Sequence, residues 1–157
     1  MTDRPRRLLV VHHSATGHVA DMTAAVLRGA RDPAITDVEI GYVAALEAKV
    51  EDVLWADAYV LGTPANFGYM SGALKHFFDT IYHPCLDATQ GRPYGLYVKG
   101  DTDTTGAVES VQRIVAGLAW KMVQPPVACV GALDAGAVDA CEELGRVVAG
   151  GLSVGLW

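Results

Sequence analysis

A chain of 157 residues, 51% of them hydrophobic, is long enough for one compact core and short for two, so a single domain over residues 1–157 is expected. The formal net charge of -6 is spread without a Lys/Arg tract, which excludes the electropositive stripe that a nucleic-acid duplex or an anionic bilayer requires. The basic start MTDRPRR leads only into the apolar run Leu8 to Val11, too brief for a signal-peptide core or a membrane span, and Cys85, Cys129 and Cys141 are odd in number with no C-x-x-C, so free thiols and a cytoplasmic location are expected.

Apolar strand-like runs then alternate with segments of helical period, the pattern of an α/β chain whose parallel sheet is covered on both faces. The first strand is expected at Leu8 to His12, followed by a helix from Gly17 to Arg31 with Val19, Met22, Val26 and Ala30 on one face. Val38, Ile40 and Tyr42 alternate with Glu39 and Gly41, which suits a strand near the sheet edge. A second helix is expected through Leu46, Val50, Val53 and Leu54, and a third strand at Ala58 to Leu61, ending at Gly62-Thr63-Pro64. Leu74, Phe77, Phe78 and Ile81 mark a third helix that His83-Pro84 should stop, because proline disfavours helical geometry at the residue before it. A fourth strand is expected at Gly95 to Val98, a fourth helix from Ala107 to Lys121, a fifth strand at Val127 to Val130, and a fifth helix through Val138, Cys141, Leu144 and Val148.

In open sheets of this kind ligands bind beyond the carboxyl ends of the strands, so the turns after strands one, three and four are the places to look. After strand one, Ser14, Thr16, Gly17, His18 and Val19 set two hydroxyls and a glycine at a helix start, where free backbone N–H groups favour a phosphate with no cation needed. The same residues also read as a plain helix cap. After strand three, Gly62 to Gly72 is long for a strand-to-helix turn and offers Phe67 and Tyr69 to a planar ligand, or tucks them back onto the helix. After strand four, Lys99 to Gly106 offers backbone and hydroxyl groups that a solvated turn would carry equally well.

The order S-x-T-G-H-V and then G-T-P-A-N-F-G-Y-M-S-G-A-L-K-H-F-F-D resembles the flavodoxin-like superfamily, and within it the tryptophan-repressor-binding-protein-like quinone reductases and the NADPH-dependent FMN reductases. The resemblance implies a flavodoxin-like three-layer sandwich around a five-stranded parallel sheet of order 2-1-3-4-5, with FMN as cofactor. Ser14, Thr16, Gly17, His18 and Val19 would then surround the FMN phosphate, Val19 through its backbone N–H. Thr63, Pro64, Ala65, Asn66, Phe67 and Gly68 would run along the isoalloxazine, and Gly100, Asp101 and Gly106 would lie near its pyrimidine side. Asp101 and Asp103, if they faced the ring, would disfavour an anionic reduced flavin, although loop acids are usually solvated.

No side chain is expected to act as an acid or base. The resemblance implies an oxidoreductase in which NADPH or NADH passes hydride to FMN and on to a small acceptor, a quinone or a flavin. The competing reading is an electron carrier that serves a redox partner protein; residues 101–106 hold no aromatic to cover a flavin, which weakens it. No segment of the kind that shapes the quinone reductases' substrate pocket and oligomer is found, which weakens quinone as the acceptor. A binding or sensory domain without turnover is a third reading. Phe67, Tyr69 and Leu156-Trp157 leave room for a homo-oligomer interface as well as a pocket. Other chemistries fail on the residues: G-x-G-x-x-G, G-x-x-x-x-G-K-[ST] and G-x-S-x-G are absent, and His12, His13 and His18 lack the spacing of a metal site.

Overall fold

The computed structural model describes residues 4–157, so the first three residues of the basic start, Met1 to Asp3, lie outside it. Five parallel strand positions form one sheet: β1 (Arg6–His12), β2 (Val38–Ala44), β3 (Ala58–Asn66), β5 (Pro93–Gly100) and an interrupted edge made of β6 (Lys121–Met122) and β7 (Val127–Val130). Their order is β2-β1-β3-β5 with β6 and β7 both beside β5, which is the expected 2-1-3-4-5 once the broken edge strand is counted as one position. Val123 to Pro126 make the break, and two of these four residues are prolines that cannot donate to a ladder. A seventh short strand, β4 (Tyr69–Met70), pairs antiparallel with the end of β3.

Side chains alternate strictly across the sheet. Leu9 and Val11 of β1, Tyr59 and Leu61 of β3, and Leu96 and Val98 of β5 face the layer that holds α2 (Val50–Trp55), α3 (Gly72–Cys85) and α4 (Thr105–Gly117). Leu8, Val10, Val60 and Tyr97 face α1 (His18–Ala30) and α5 (Ala135–Ser153). Those two helices cross closely because Gly29 and Gly145 meet there; a Cβ on either would run into a backbone carbonyl of the other helix.

Several boundaries differ from the sequence reading. β3 does not end at Gly62-Thr63-Pro64 but runs through them to Asn66, and the supposed loop is a hairpin with Ala65 paired to Met70 and Asn66 to Tyr69. Its two turn residues, Phe67 (φ 53) and Gly68 (φ 70), both take positive φ, as a tight hairpin turn demands. Leu46 is exposed in a turn before α2, and Ala45 is buried in its place. Pro84 does not stop α3, which continues to Cys85 because that residue and Ile81 are both drawn into the core. The fourth helix ends at Gly117 rather than Lys121: Trp120 leaves the helix to stack on Tyr59, ring centroids 4.1 Å apart, and Lys121 joins the sheet.

Candidate functional site

Among the described residues four helices are longer than two turns, and three of them have a first-turn amide met by the protein's own side chain. Leu74 N donates to Ser71 Oγ in α3, Thr105 N to Asp103 Oδ1 at α4, and Ala137 N to Asp134 Oδ1 in α5. α1 differs. Its N-cap is Gly17 in the left-handed region (φ 94), which brings no side chain, and no acceptor among the described residues meets the amides of His18, Val19 or Ala20. Ser14 does not cap the helix; its Oγ accepts from Gly17 N at 3.0 Å, which folds the preceding turn back and leaves the first-turn amides open. Val19 is buried, while Thr16 and His18 are exposed at the rim.

The end of β3 forms a second wall. Thr63 is buried away from it: its hydroxyl donates to the Pro64 carbonyl (2.8 Å) and accepts from Ser71 N (2.9 Å), so it pins the hairpin to the start of α3. Met70 N donates to Ser110 Oγ on α4 and ties down the other strand of the hairpin. Phe67 stands at the hairpin tip, fully exposed, and Gly68 beside it presses on α4, where a Cβ at Gly106 would collide with the Gly68 carbonyl.

The third wall is the end of β5. Lys99 pairs in register with Pro64 and is 7% exposed, with Nζ at 3.3 Å from Asp101 Oδ1 and 3.4 Å from the Gly100 carbonyl. Gly100 is enclosed under the Asp103 carbonyl. Asp103 is turned to α4, accepting from both the N–H and the hydroxyl of Thr105, and these bonds hold its carboxyl below the usual range.

Between these walls lies a cavity of about 240 Å³ lined by Ala15, Thr16, His18, Val19, Pro64, Ala65, Asn66, Lys99 and Asp101. It brings together seven of the residues singled out from the sequence. Ser14 and Gly17 shape the turn behind it. Thr63, Phe67, Gly68, Gly100 and Gly106 do not line it: Thr63 and Gly100 are enclosed in the fold, Gly106 belongs to the first turn of α4, and Phe67 with Gly68 sits at the hairpin tip. Ala15 and Lys99 were missed. Lys99 was visible as the last side chain of an apolar run, but lysine is seldom buried. A larger, more open groove of about 590 Å³ runs along β7 and α5, yet it carries Asp134 and Glu143 and the helix start beside it is already capped by Asp134. The chemistry of the smaller cavity suits an anion. Among the described residues no group of His, Cys, Asp and Glu is arranged to hold a metal ion, and no helix is long and apolar enough to cross a membrane.

Residues 9–135 match the family model described as NADPH-dependent FMN reductase. A flavodoxin of Aquifex aeolicus is 40% identical over 75 residues, which are 48% of this chain and 40% of that protein. An NAD(P)H dehydrogenase (quinone) of Bradyrhizobium diazoefficiens is 34% identical over 131 residues, 71% of this chain and 65% of its own length. The chain spans about half the length of several of the curated relatives it matches. Among solved structures, the flavodoxin, WrbA-like protein from Agrobacterium tumefaciens superposes with a TM-score of 0.77 at 20% identity, covering 94% of this chain and 97% of that one. The fold is flavodoxin-like.

Proposed function

The chain belongs to the NADPH-dependent FMN reductase family, and from that premise we propose that it is a single flavodoxin-like domain that binds FMN and passes reducing equivalents from NADPH or NADH to a small acceptor. The observation that carries this reading is the open start of α1. Three unbonded amides stand at the positive end of a helix dipole, and two of their residues, His18 and Val19, line a cavity whose far walls are the ends of β3 and β5. That donor set fits a phosphate monoester. The cavity is smaller than the roughly 300 Å³ at which pockets for whole drug-sized ligands begin, so it is a seat for one end of a ligand.

FMN, when bound, supplies the redox chemistry by accepting a hydride and releasing electrons singly or in pairs. The chain's own residues bind and orient. His18, Val19 and Ala20 donate their amides, with the Thr16 hydroxyl at the rim, and Gly17 holds the turn that aims them. Pro64, Ala65 and Asn66 form the wall at the end of β3, and the hydrogen bonds of Thr63 and Ser110 keep that wall from shifting.

A quinone or a second flavin is the acceptor class in this reading, and the three free cysteines suit a cytoplasmic setting. A second reading, an electron carrier serving a protein partner, draws on the relative named flavodoxin and on the fully exposed Phe67, which a docking protein would cover. The test is the visible spectrum of purified protein reconstituted with FMN, followed anaerobically on adding NADPH or NADH. Bleaching of the bound flavin within seconds supports the reductase; a bound flavin that neither nucleotide reduces supports the carrier.

A further inference from the structure

Among the described residues Lys99 is the only lysine or arginine lining the cavity, and its position on the sheet decides what it faces. Side chains two apart on a strand share a face. Tyr97 lies on the α1 side of β5, with its hydroxyl against Thr23 of α1. Lys99, two residues on, therefore points to the same side and one helical turn nearer the start of α1, where Val19 lines the cavity beside it.

This places a buried ammonium near the positive end of a helix, an arrangement of like charges that favours an anion between them. The protein supplies little to neutralise it. Both contacts of Nζ, at 3.3 Å and 3.4 Å, are longer than the roughly 2.7–2.9 Å of a charge-assisted hydrogen bond. The one carboxylate involved, Asp101, is 98% exposed, where solvent screening weakens an ion pair.

We propose that Lys99 is the counter-charge of the ligand's phosphoryl group, binding the phosphate monoester from the sheet side while the first-turn amides of α1 bind it from the helix side. The proposal rests on the reading that this cavity takes FMN, and it adds a cation to a cradle that needed none by its sequence. Its consequence is selectivity: Lys99 favours FMN over riboflavin, which has the same ring and no phosphate.

The experiment is a fluorescence titration of the flavin-free protein with FMN and with riboflavin, on wild type, K99M and K99R. K99M keeps the length and apolar stem and loses only the charge. The expected result is a loss of about 10- to 100-fold in FMN affinity with riboflavin affinity unchanged, the usual worth of a hydrogen bond to a charged group. K99R should stay closer to wild type than K99M does. Equal loss for both flavins, or no loss for either, overturns the role of Lys99 while leaving FMN binding intact. If K99M fails to fold, K99R against K99Q gives the same comparison. A wild-type protein that binds neither flavin overturns the FMN reading itself, and the role of Lys99 with it.

Discussion

The hydroxyls of Tyr97 and Thr23 meet 2.5 Å apart in the layer between the sheet and α1, both side chains buried. Thr23 Oγ1 also donates to the Val19 carbonyl at 2.8 Å, so its single proton is committed and Tyr97 is the donor to Thr23. Burial pushes the Tyr97 hydroxyl far above its ordinary value, which keeps it a donor throughout the accessible pH range. The pair fixes α1 against β5 and so fixes the distance between the helix start and Lys99.

The two partners are not equivalent. Y97F removes a donor and leaves Thr23 bonded to Val19, a change worth about 1 kcal/mol. T23V leaves the Tyr97 hydroxyl buried without an acceptor and should cost more, about 1–3 kcal/mol. Urea unfolding of both variants checks the order, and a Y97F loss equal to or above that of T23V would contradict the assignment of the proton.

Ala119 follows the last turn of α4 with φ 59, a left-handed conformation that side chains adopt at a cost of about 1–2 kcal/mol. The conformation turns the chain so that Trp120 can stack on Tyr59 and donate its indole N–H to Thr89 at 2.9 Å. A119G should therefore stabilise the protein by about 0.5–1 kcal/mol, the relief of strain exceeding the added chain entropy. A thermal midpoint at or below wild type would show that the turn is not strained.

These residues also show what a sequence discloses. The order 2-1-3-4-5 came from the family resemblance, whereas β1, β3 and β5 were legible as apolar runs buried on both faces, as Leu8 to Val11 and Ala58 to Leu61 are, and β2 from its alternation. The end of the fourth helix was not, because Ala119 carries no turn signal and the pull on Trp120 comes from Tyr59, sixty-one positions away in the chain. The hairpin at Asn66 to Tyr69 was hidden for a similar reason: Gly62-Thr63-Pro64 reads as punctuation, yet the ladder with β5 and the Thr63 bonds to Pro64 and Ser71 keep the strand going. At the site, the helix start was legible from Gly17 and its hydroxyl neighbours, whereas Lys99 became part of it only through the register of β5.

His12 ends β1 half-buried, next to the turn that leads into α1. Burial lowers its pKa below 6.5, the charge of His13 adds to that, and Glu47 opposes it. The folded state thus holds a proton on His12 less readily than the unfolded chain, so its share of stability is complete above 6.5 and is lost as the pH falls towards the lowered folded value. Unfolding midpoints measured between about pH 5 and about pH 7.5 should fall on acidification, and less steeply in H12N. Parallel profiles for the two proteins would mean that His12 titrates no differently when folded.

FMN binding as proposed depends on the amides of His18, Val19 and Ala20 being held open for a phosphate. Amide resonances of the flavin-free protein, followed while FMN is added, test it most directly. These three signals, with those of Ala15 and Thr16, should move downfield more than any others in the first half of the chain, and riboflavin should leave them in place. Saturable FMN binding with these amides unmoved would contradict it.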